Sequence, residues 1–569
     1  MHLLIEGYRY DNKLLSTLLP DKYITDIGNG RASTNFVGYF NSSQKSGMVL
    51  ILPKIFLTGE FVFNSVPVVE LASENSFSIL KKYDKSKTEA DFIYTFSLTL
   101  FLCLKEFIQR NPETIIINKE KLRSITSNLS YFENTELDLV VSLLQFYKNN
   151  KSLITFKVKT KQSELGRRIS WNKTVNKTLP VFTENDSVVY FNPIQKIKHI
   201  NYEDELLRIF YSVLFKFKTE YGFKLIIDEN YNIITATNFL AFELKALKVL
   251  KSLKHKYFSD KFKHLYKLLY LYFQKKSESN SKAGLEEFIL SSNFNIVFEN
   301  MIDKLLSDTK NIEKLKYQAD GKIVDHIFEF NSLFNPDKIF YVGDSKYYKE
   351  TTQYGVNSIY KQHTYAKNVI QYNINLFNTG ILSHNLRYRD SKTEGYNITP
   401  NFFIQAFIDN NNLTDTAAKF QNDTAEKVKI NFQFKNRLFD RDTLIIHNFK
   451  INFLFVVRSY LTKDVTLLSS FKAHSINFIR ENILNHFQNY YSFFILSSII
   501  PIDSFIEKHF KILNGKIYSS SEFDSSPNSI ILAINNQQEF LDDNEKLINI
   551  IQADCILQKI DITVPTNQS

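Results

Sequence analysis

The chain has 569 residues, of which 44% are hydrophobic and 15% aromatic, and its formal net charge is +10. This composition excludes a mostly disordered protein, and the length indicates about three or four domains. Cys103 and Cys555 lack Cys or His neighbours at metal-ligand spacing, which excludes zinc fingers and disulfide scaffolds and favours a reducing cytoplasm. The first residues lack the apolar stretch of a secretory signal, and no apolar run reaches the roughly 20 residues of a membrane span. We therefore expect a cytoplasmic protein that does not enter a membrane.

Residues 1–150 are predicted to begin as a β-rich region and then to turn helical. A hairpin is predicted around residues 41–47, where small and polar residues separate two apolar runs. Apolar residues at helical spacing predict helices over residues 92–110 and 136–147. We expect this N-terminal domain to bind DNA or a partner protein.

Residues 151–200 are predicted to form a basic β segment, because apolar and basic residues alternate over residues 155–160. Residues 151–180 hold eight lysines and arginines against one acidic residue. Such a cluster suits DNA phosphates, and binding of a partner subunit is the alternative. The candidate DNA contacts in this segment are Arg167, Arg168 and Lys173.

Residues 201–276 are predicted to be helical. Near residue 250, lysines repeat every third residue beside a stripe of leucines, which predicts a helix with one apolar face and one positive face. A positive face neutralises backbone phosphates without sequence preference, and the alternative is a solvated face on a scaffold helix. The leucines are Leu244, Leu247, Leu250 and Leu253, and the candidate DNA contacts are Lys245, Lys248, Lys251 and Lys254.

The next predicted domain spans residues 285–410 and follows a small, polar linker at residues 277–284. An amphipathic helix is predicted over residues 294–306. Two strands are predicted over residues 323–330 and 338–347, since each is a short apolar run bounded by polar or turn-forming residues.

Three charged side chains of this strand pair are predicted to converge. Residues i and i+2 of a strand point to the same face, so Asp344 and Lys346 project together while Ser345 points away. If the two strands pair, Asp325 reaches the same place. Two carboxylates suit Mg²⁺, which also takes waters and phosphate oxygens, and a neighbouring lysine can orient an attacking water. The alternative is that Asp325 and Asp344 are charges on edge strands.

Two polar residues on the flanking helices are further candidates. Glu299 lies on the helix before the strand pair and is either a third acid of the site or a surface glutamate. Gln362 lies on a helix-compatible segment after the lysine strand, where it either hydrogen-bonds a phosphate or water or faces solvent. Another acid-x-lysine pattern, at residues 390–392, falls in a polar loop.

These elements resemble a known nuclease family in their order and spacing. They are similar to the nuclease domain of McrC-type restriction subunits and their LlaJI-type relatives, members of the PD-(D/E)xK superfamily. Residues 36–56 and 166–180 resemble segments of the same group. The matching nuclease motifs are Phe298-Glu299, Val324-Asp325, Asp344-Ser345-Lys346-Tyr347, Tyr360-Lys361-Gln362 and Tyr365-Ala366.

The resemblance implies an α+β multidomain protein. Its nuclease domain is a restriction-endonuclease-like α/β core with a mixed sheet, accompanied by a β-rich N-terminal region and a helical middle region. It implies that Asp325, Asp344 and the Ser345 carbonyl hold Mg²⁺, for which Mn²⁺ can substitute, and that Lys346 positions the attacking water. The auxiliary catalytic residues that it implies are Glu299 and Gln362.

The implied function is a metal-dependent endonuclease that cleaves double-stranded DNA in a bacterial restriction or anti-phage system. The family works with a separate AAA+ GTPase or ATPase of the McrB type, and this chain has no Gly-x-x-x-x-Gly-Lys-Ser/Thr motif of its own. Homo-oligomer formation is left open, as is the role of residues 411–569, which are predicted to be α+β. Two alternatives stand: a non-cleaving DNA-binding or assembly subunit, and a repair or RNA-acting nuclease of the same superfamily.

Overall fold

The computed structural model describes residues 2–563 outside a set of gaps, and within this part no helix combines the length and apolarity needed to cross a membrane. The gaps are residues 43–44, 46, 63–65, 75, 84–87, 113–116, 119–135, 152, 163–167, 186, 222–224, 282–285, 308–312, 318–322, 335–337, 349–354, 380–387, 410–411, 414, 423–428, 432–435, 520–525 and 527. The protein is a mixed α+β chain with several sheets.

The N-terminal region is built on a sheet with the strand order β1-β6-β5-β15-β10. Strands β5 and β6 pair antiparallel with Ser42 opposite Gly47, which confirms the hairpin predicted around residues 41–47. Its elements are β1 (His2–Ile5), β2 (Tyr10–Asp11), α1 (Asn12–Leu18), β3 (Thr25–Gly28), β4 (Arg31–Ser33), β5 (Val37–Ser42), β6 (Gly47–Leu52), β7 (Leu57–Thr58), β8 (Phe61–Val62), β9 (Val66–Pro67), α2 (Val68–Ser73), α3 (Ser76–Tyr83), α4 (Thr88–Arg110) and β10 (Ile117–Asn118).

The chain then leaves this sheet and forms a helical module with a hydrophobic core of its own. A basic arm projects from it, in which β11 and β14 pair antiparallel and enclose a short helix. The module contains α5 (Glu136–Asn149), β11 (Phe156–Gln162), α6 (Trp171–Lys177), β12 (Val181–Phe182), β13 (Val188–Val189), β14 (Ile194–Ile200), α7 (Glu205–Tyr221), α8 (Ala236–Leu253) and α9 (Asp260–Ser281).

The face of α8 that packs on the module core differs from the predicted leucine stripe. Leu250 and Leu253 are buried, together with Ala246, but Leu244 is 83% exposed. The prediction of Leu244 as a core residue is therefore wrong, because the helix turns its Leu244 side toward solvent alongside the lysines.

The module returns to the N-terminal sheet through β15, the strand paired with β5. Ion pairs close the base of the module: Lys276 on α9 pairs with Glu136 on α5, and Lys275 Nζ on α9 lies 2.8 Å from Glu287 Oε1 on β15. The Glu136 amide also donates to Glu287 Oε2 at 3.0 Å. The module is thus an insertion held at its base by ionic contacts, and β15 lies in the N-terminal sheet although residues 285–410 were predicted to be a separate domain.

The central sheet is mixed and has the order β16-β17-β18-β21-β19, with β20 also on β21. It extends past residue 410, the predicted end of the nuclease domain, because β18 pairs in parallel with β21. The elements here are β15 (Glu286–Ser291), α10 (Phe294–Leu306), α11 (Glu313–Lys316), β16 (His326–Asn331), β17 (Lys338–Lys346), α12 (Val356–Asn378), β18 (Asn401–Phe407), β19 (Phe420–Asn422), β20 (Lys429–Asn431), β21 (Leu444–Asn452), α13 (Phe453–Leu461) and α14 (Val465–Tyr490).

The C-terminal region is an antiparallel sheet of order β23-β24-β22-β25 with the ferredoxin-like succession βαββαβ. Two helices and one sheet face share a small core. The other face packs on the main core, where the rings of Phe334 and Phe493 stack with centroids 5.6 Å apart. The elements are β22 (Tyr491–Ser498), α15 (Ile502–Leu513), β23 (Ile517–Tyr518), β24 (Ser529–Asn535), α16 (Leu541–Ile551) and β25 (Cys555–Ile560).

Gly343 in β17 has no room for a side chain. A Cβ at this position would lie 2.5 Å from Cε2 of the buried Phe402 ring. Because overpacking a core site costs about 1–3 kcal/mol, Gly343→Ala is expected to lower the melting temperature. Gly355→Ala is the control, since nothing lies within 4 Å of a Cβ built there. Thermal unfolding followed by circular dichroism measures both, and equal melting temperatures would contradict the packing described.

Candidate active site

The register of β16 and β17 brings two aspartates together. His326 pairs with Gly343 in the antiparallel ladder, so the next positions outward are Asp325 and Asp344, on one face of the sheet. Their carboxyl groups are close enough for the charge of Asp344 to raise the pKa of Asp325. Asp325 precedes the first residue of β16, so the prediction that it lies inside the strand is wrong by one residue, although it still reaches Asp344.

Lys346 completes this group on the same face, as strand alternation requires. Its Nζ lies 2.5 Å from Asp344 Oδ2, and the Asp344 side chain is only 3% exposed. Apart from this ion pair, Oδ2 receives no hydrogen bond of acceptable geometry from any described residue. Among the described residues this buried oxygen is met by Lys346 alone, which leaves it able to accept a further positive partner.

The two carboxyl groups nearest Asp344 have raised pKa values. Burial, followed by the negative charge of Asp344, raises the pKa of Asp325 well above its usual range. The same two causes raise the pKa of Glu299, on α10, to about 7. Glu299 is thus an acid of the cluster, which favours the first of its two predicted roles.

The back of β17 holds a chain of polar side chains that sequence reasoning missed. Ser345 points away from Asp344, as predicted, and its Oγ lies 2.5 Å from Nε2 of His326. His326 Nδ1 faces Asp303 Oδ1 at 3.4 Å, and Lys316 Nζ lies 2.5 Å from Asp303 Oδ2. The order Asp-His-Ser matches that of hydrolase triads, but Ser345 and His326 are both buried. This series of hydrogen-bonded side chains therefore holds Ser345 in place and does not present it as a nucleophile.

Gln362 is buried between α12 and the sheet. Its Nε2 donates to the Val342 carbonyl at 3.3 Å and to Asn401 Oδ1 at 2.6 Å. These bonds hold α12 against the sheet, so the structure favours neither of the roles predicted for Gln362, a phosphate contact or a solvated face.

The neighbouring Lys361, which the prediction passed over, is exposed and acts on the same carboxylates. Its Nζ lies 5.3 Å from the centre of the Tyr365 ring. Burial lowers its pKa, but Tyr365 and the charges of Asp325 and Asp344 outweigh burial and raise it. Lys361 and Gln362 differ in exposure because of their positions around α12, which turn residue 361 outward and residue 362 inward.

The predicted DNA contacts lie on other elements. Lys245, Lys248 and Lys251 are exposed on α8, and Lys254 is its exposed C-terminal cap. Lys173, on α6, and Arg168 are exposed on the basic arm. Arg167 lies outside the described residues. The basic residues therefore belong to the helical module, whereas the carboxyl cluster belongs to the central sheet.

The site fits the Mg²⁺ that the sequence resemblance implies. Asp325 and Asp344 lie next to each other on one face of the sheet, and apart from the Lys346 ion pair Oδ2 of Asp344 receives no hydrogen bond from a described residue. Among the described residues, no three His, Cys, Asp or Glu side chains are arranged to hold a metal ion. A cation here would consequently use two carboxylates, with backbone and water oxygens completing its shell, as Mg²⁺ does.

The family of the chain follows from its sequence. A model of the LlaJI restriction endonuclease matches residues 66–428, a range that contains Asp325, Asp344 and Lys346. The chain belongs to the LlaJI restriction endonuclease family. A search of curated proteins found no match.

Solved structures similar to this family member come from Thermococcus gammatolerans. One is a refined half-complex from the tetradecameric assembly of McrB AAA+ hexamers with bound McrC, 11% identical, covering 84% of this chain and 99% of that chain at a TM-score of 0.26. Another is a cryo-EM structure of the McrBC complex, 12% identical, covering 54% of this chain and 88% of that chain at a TM-score of 0.17. At these TM-scores neither structure defines the fold of the present chain.

Without divalent cations, the free energy of unfolding is expected to fall as the pH rises from about 4.5 to about 7. Over this interval the folded protein keeps a proton on Glu299, whose pKa is raised from 4.5 to about 7, while the unfolded chain has released it. Glu299→Gln should flatten this part of the curve. Melting temperatures in EDTA across the pH range measure it, with exposed Glu545→Gln as the control. A slope unchanged by Glu299→Gln would show that Glu299 titrates normally.

Proposed function

We propose that this chain is the nuclease subunit of a restriction system and hydrolyses phosphodiester bonds of double-stranded DNA in a metal-dependent reaction. The observation that carries the proposal is the meeting of Asp325, Asp344 and Lys346 on one face at the end of the β16–β17 pair. A mixed sheet contacted by α10 and α12 supports a PD-(D/E)xK core. Membership of a restriction endonuclease family supports DNA as the substrate.

Each residue of the cluster has a proposed role. Asp325, Asp344 and the Ser345 carbonyl would hold Mg²⁺, or Mn²⁺ in its place. Such a cation neutralises phosphate charge and lowers the pKa of a bound water. The Lys346 ammonium group lies beside Asp344, where it orients the attacking water and stabilises the charge that develops on the phosphate. The expected products carry a 5′-phosphate and a 3′-hydroxyl.

Glu299 and Lys361 extend this chemistry. A pKa of about 7 allows Glu299 to hold or release a proton near neutral pH, as an auxiliary acid or base requires. Lys361 supplies a second positive charge facing Asp325 and Asp344, which suits a phosphate brought to that cluster. Gln362 contributes by fixing α12, the helix that carries Lys361.

The helical module is proposed to bind the DNA backbone. Its exposed lysines on α8 lie on one side of a separately packed core, and residues 245–276 hold ten lysines against one acidic residue. Charge of this kind binds phosphates without reading bases.

A separate AAA+ nucleotidase of the McrB type is the proposed partner. The chain lacks a phosphate-binding loop of its own, so any nucleotide-driven step needs another subunit. A cytoplasmic location is proposed with it, because the cell's DNA and the nucleotides are found there.

Lys346→Ala and Asp344→Asn are expected to reduce cleavage of plasmid DNA by roughly a thousandfold or more, because each removes a group that acts on the reacting phosphate. Cleavage is followed on gels with Mg²⁺ or Mn²⁺, on methylated and unmethylated DNA, with and without the nucleotidase and nucleotide. Binding of DNA should be nearly unchanged.

The control for this experiment is Lys392→Ala. Lys392 ends another Asp-Ser-Lys tripeptide, but it is exposed in a turn, where Asp390 caps the backbone. It should cut like the wild type. If the wild type binds DNA but never cuts it under any of these conditions, the protein is a non-cleaving DNA-binding or assembly subunit instead.

Replacement of Lys248, Lys251 and Lys254 by glutamate is expected to weaken DNA binding and reduce its dependence on salt, because fewer phosphates are neutralised. Each lost phosphate contact lowers the slope of log K against log salt by about 0.9. Fluorescence anisotropy between low and moderate salt measures this slope.

The matched control changes the net charge equally on another surface. It replaces exposed Lys511, Lys546 and Lys559 of the C-terminal region by glutamate. Equal loss of affinity in the two triple variants would show that total charge matters and that α8 is not a DNA-binding face.

A further inference from the structure

The end of β17 is fastened on its back face by the N-terminal region. Tyr347 follows Lys346 and points to the side opposite its ammonium. The Tyr347 hydroxyl donates to Glu6 Oε2 at 2.5 Å. The Lys54 amide donates to the same hydroxyl at 3.1 Å and to Glu6 Oε2 at 3.2 Å. Three hydrogen bonds therefore connect residues separated by up to 341 positions in the sequence.

This cluster of three hydrogen bonds is shielded from water. Glu6 is 8% exposed and Tyr347 is 4% exposed. The Tyr347 ring contacts Phe294 and Phe298 of α10, with centroids 5.4 and 6.0 Å away, and Lys54 Nζ lies 4.5 Å from its centre. The Tyr347 side chain is thus held at its ring by contacts with α10 and at its hydroxyl by hydrogen bonds to the N-terminal region.

The N-terminal region and the central sheet share one hydrophobic core. Buried residues from the first strand to the last part of the chain belong to it, and rings such as Phe56 and Phe453 meet with centroids 6.3 Å apart. The N-terminal region and the central sheet are therefore packed together as parts of one body. This differs from the helical module, which has its own core.

We propose that Glu6 is a positioning residue for the nuclease site, acting through Tyr347 to fix the backbone that carries Lys346. The inference rests on the proposed function, since it takes Lys346 as the residue that acts on the phosphate. Lys346 is the last residue of β17, so no further ladder bond holds the chain beyond it. Tyr347 supplies the anchor at that point, and a displacement of about 1 Å in a catalytic group lowers rates by roughly a hundredfold.

The proposal gives the N-terminal region a role in catalysis. Its Leu52–Lys54 segment and Glu6 are held together, because the Glu6 amide donates to the Leu52 carbonyl at 3.0 Å. Glu6 and this segment then act together as one support on the side of β17 opposite the Lys346 ammonium. Removal of the support should change the rate of cleavage and leave the DNA-binding surface as it is.

The test compares two tyrosines with buried, hydrogen-bonded hydroxyls: Tyr347, which directly follows β17, and Tyr388, whose hydroxyl bonds the backbone near the other end of β17. Tyr347→Phe removes the bonds to Glu6 and Lys54. Tyr388→Phe removes the hydroxyl that accepts from the Phe340 amide at 2.9 Å and donates to its carbonyl at 3.0 Å, near the other end of β17. Both variants lose a buried hydroxyl, so a purely structural role predicts similar rates.

The measurement is the single-turnover rate of plasmid cleavage at saturating DNA, with DNA affinity measured in parallel. Tyr347→Phe is expected to cut about tenfold more slowly or worse with unchanged affinity, while Tyr388→Phe cuts like the wild type. Hydrogen exchange should rise at residues 344–347 in Tyr347→Phe alone. Equal rates and equal exchange in both variants would overturn the proposal.

Two substitutions of Glu6 keep the test decisive if Tyr347→Phe folds poorly. Glu6→Gln keeps an acceptor oxygen for the Tyr347 hydroxyl and should retain more activity than Glu6→Ala, which leaves that hydroxyl without its acceptor. Equal activity in these two variants also contradicts the proposal. If the wild type does not cut DNA at all, the proposed function fails, whereas a cutting wild type with unaffected Glu6 and Tyr347 variants refutes only the positioning role.

Discussion

The antiparallel register of β16 and β17 is the constraint on which the candidate site depends. Pairing His326 with Gly343 places Asp325 opposite Asp344. A slip of one residue would turn every side chain of one strand to the other face, which would separate the two carboxyl groups. On the other edge of β17, Phe402 of β18 fills the space that the absent side chain of Gly343 leaves, which fixes β17 against β18 at this position.

The two faces of β17 differ in how their polar side chains are paired. On the front, burial and the negative charge of Asp344 raise the pKa of Asp325 and of Glu299, so the arrangement gains from an added cation. On the back, Ser345 and Tyr347 are matched by His326 and Glu6. A catalytic group is accurate only when supporting contacts fix it. The hydrogen-bonded back face holds the strand, so that the side chains on the front face keep their geometry.

The arrangement of cores suggests a division of labour. One core unites the N-terminal region, the central sheet and one face of the C-terminal sheet, whereas the helical module carries a second core. The module enters and leaves through ion pairs between α5, α9 and β15. Its lysines are therefore displayed on a unit joined through these contacts, while the carboxyl cluster lies on the central sheet of the larger core.

Local pattern in the sequence determined the parts of the site that lie close together along the chain. Alternation placed Asp344 and Lys346 on one face, and helical spacing predicted residues 294–306, which match α10. Local pattern could not separate a strand from a helix in a short apolar run: the sequence predicts a helix over residues 475–496, but residues 491–496 lie in β22. The tertiary structure alone decided that Leu244 is exposed, that β15 pairs with β5, and that Glu6 meets Tyr347. These outcomes depend on partners that are distant in the chain, and no local periodicity records which partner a buried or exposed side chain will meet.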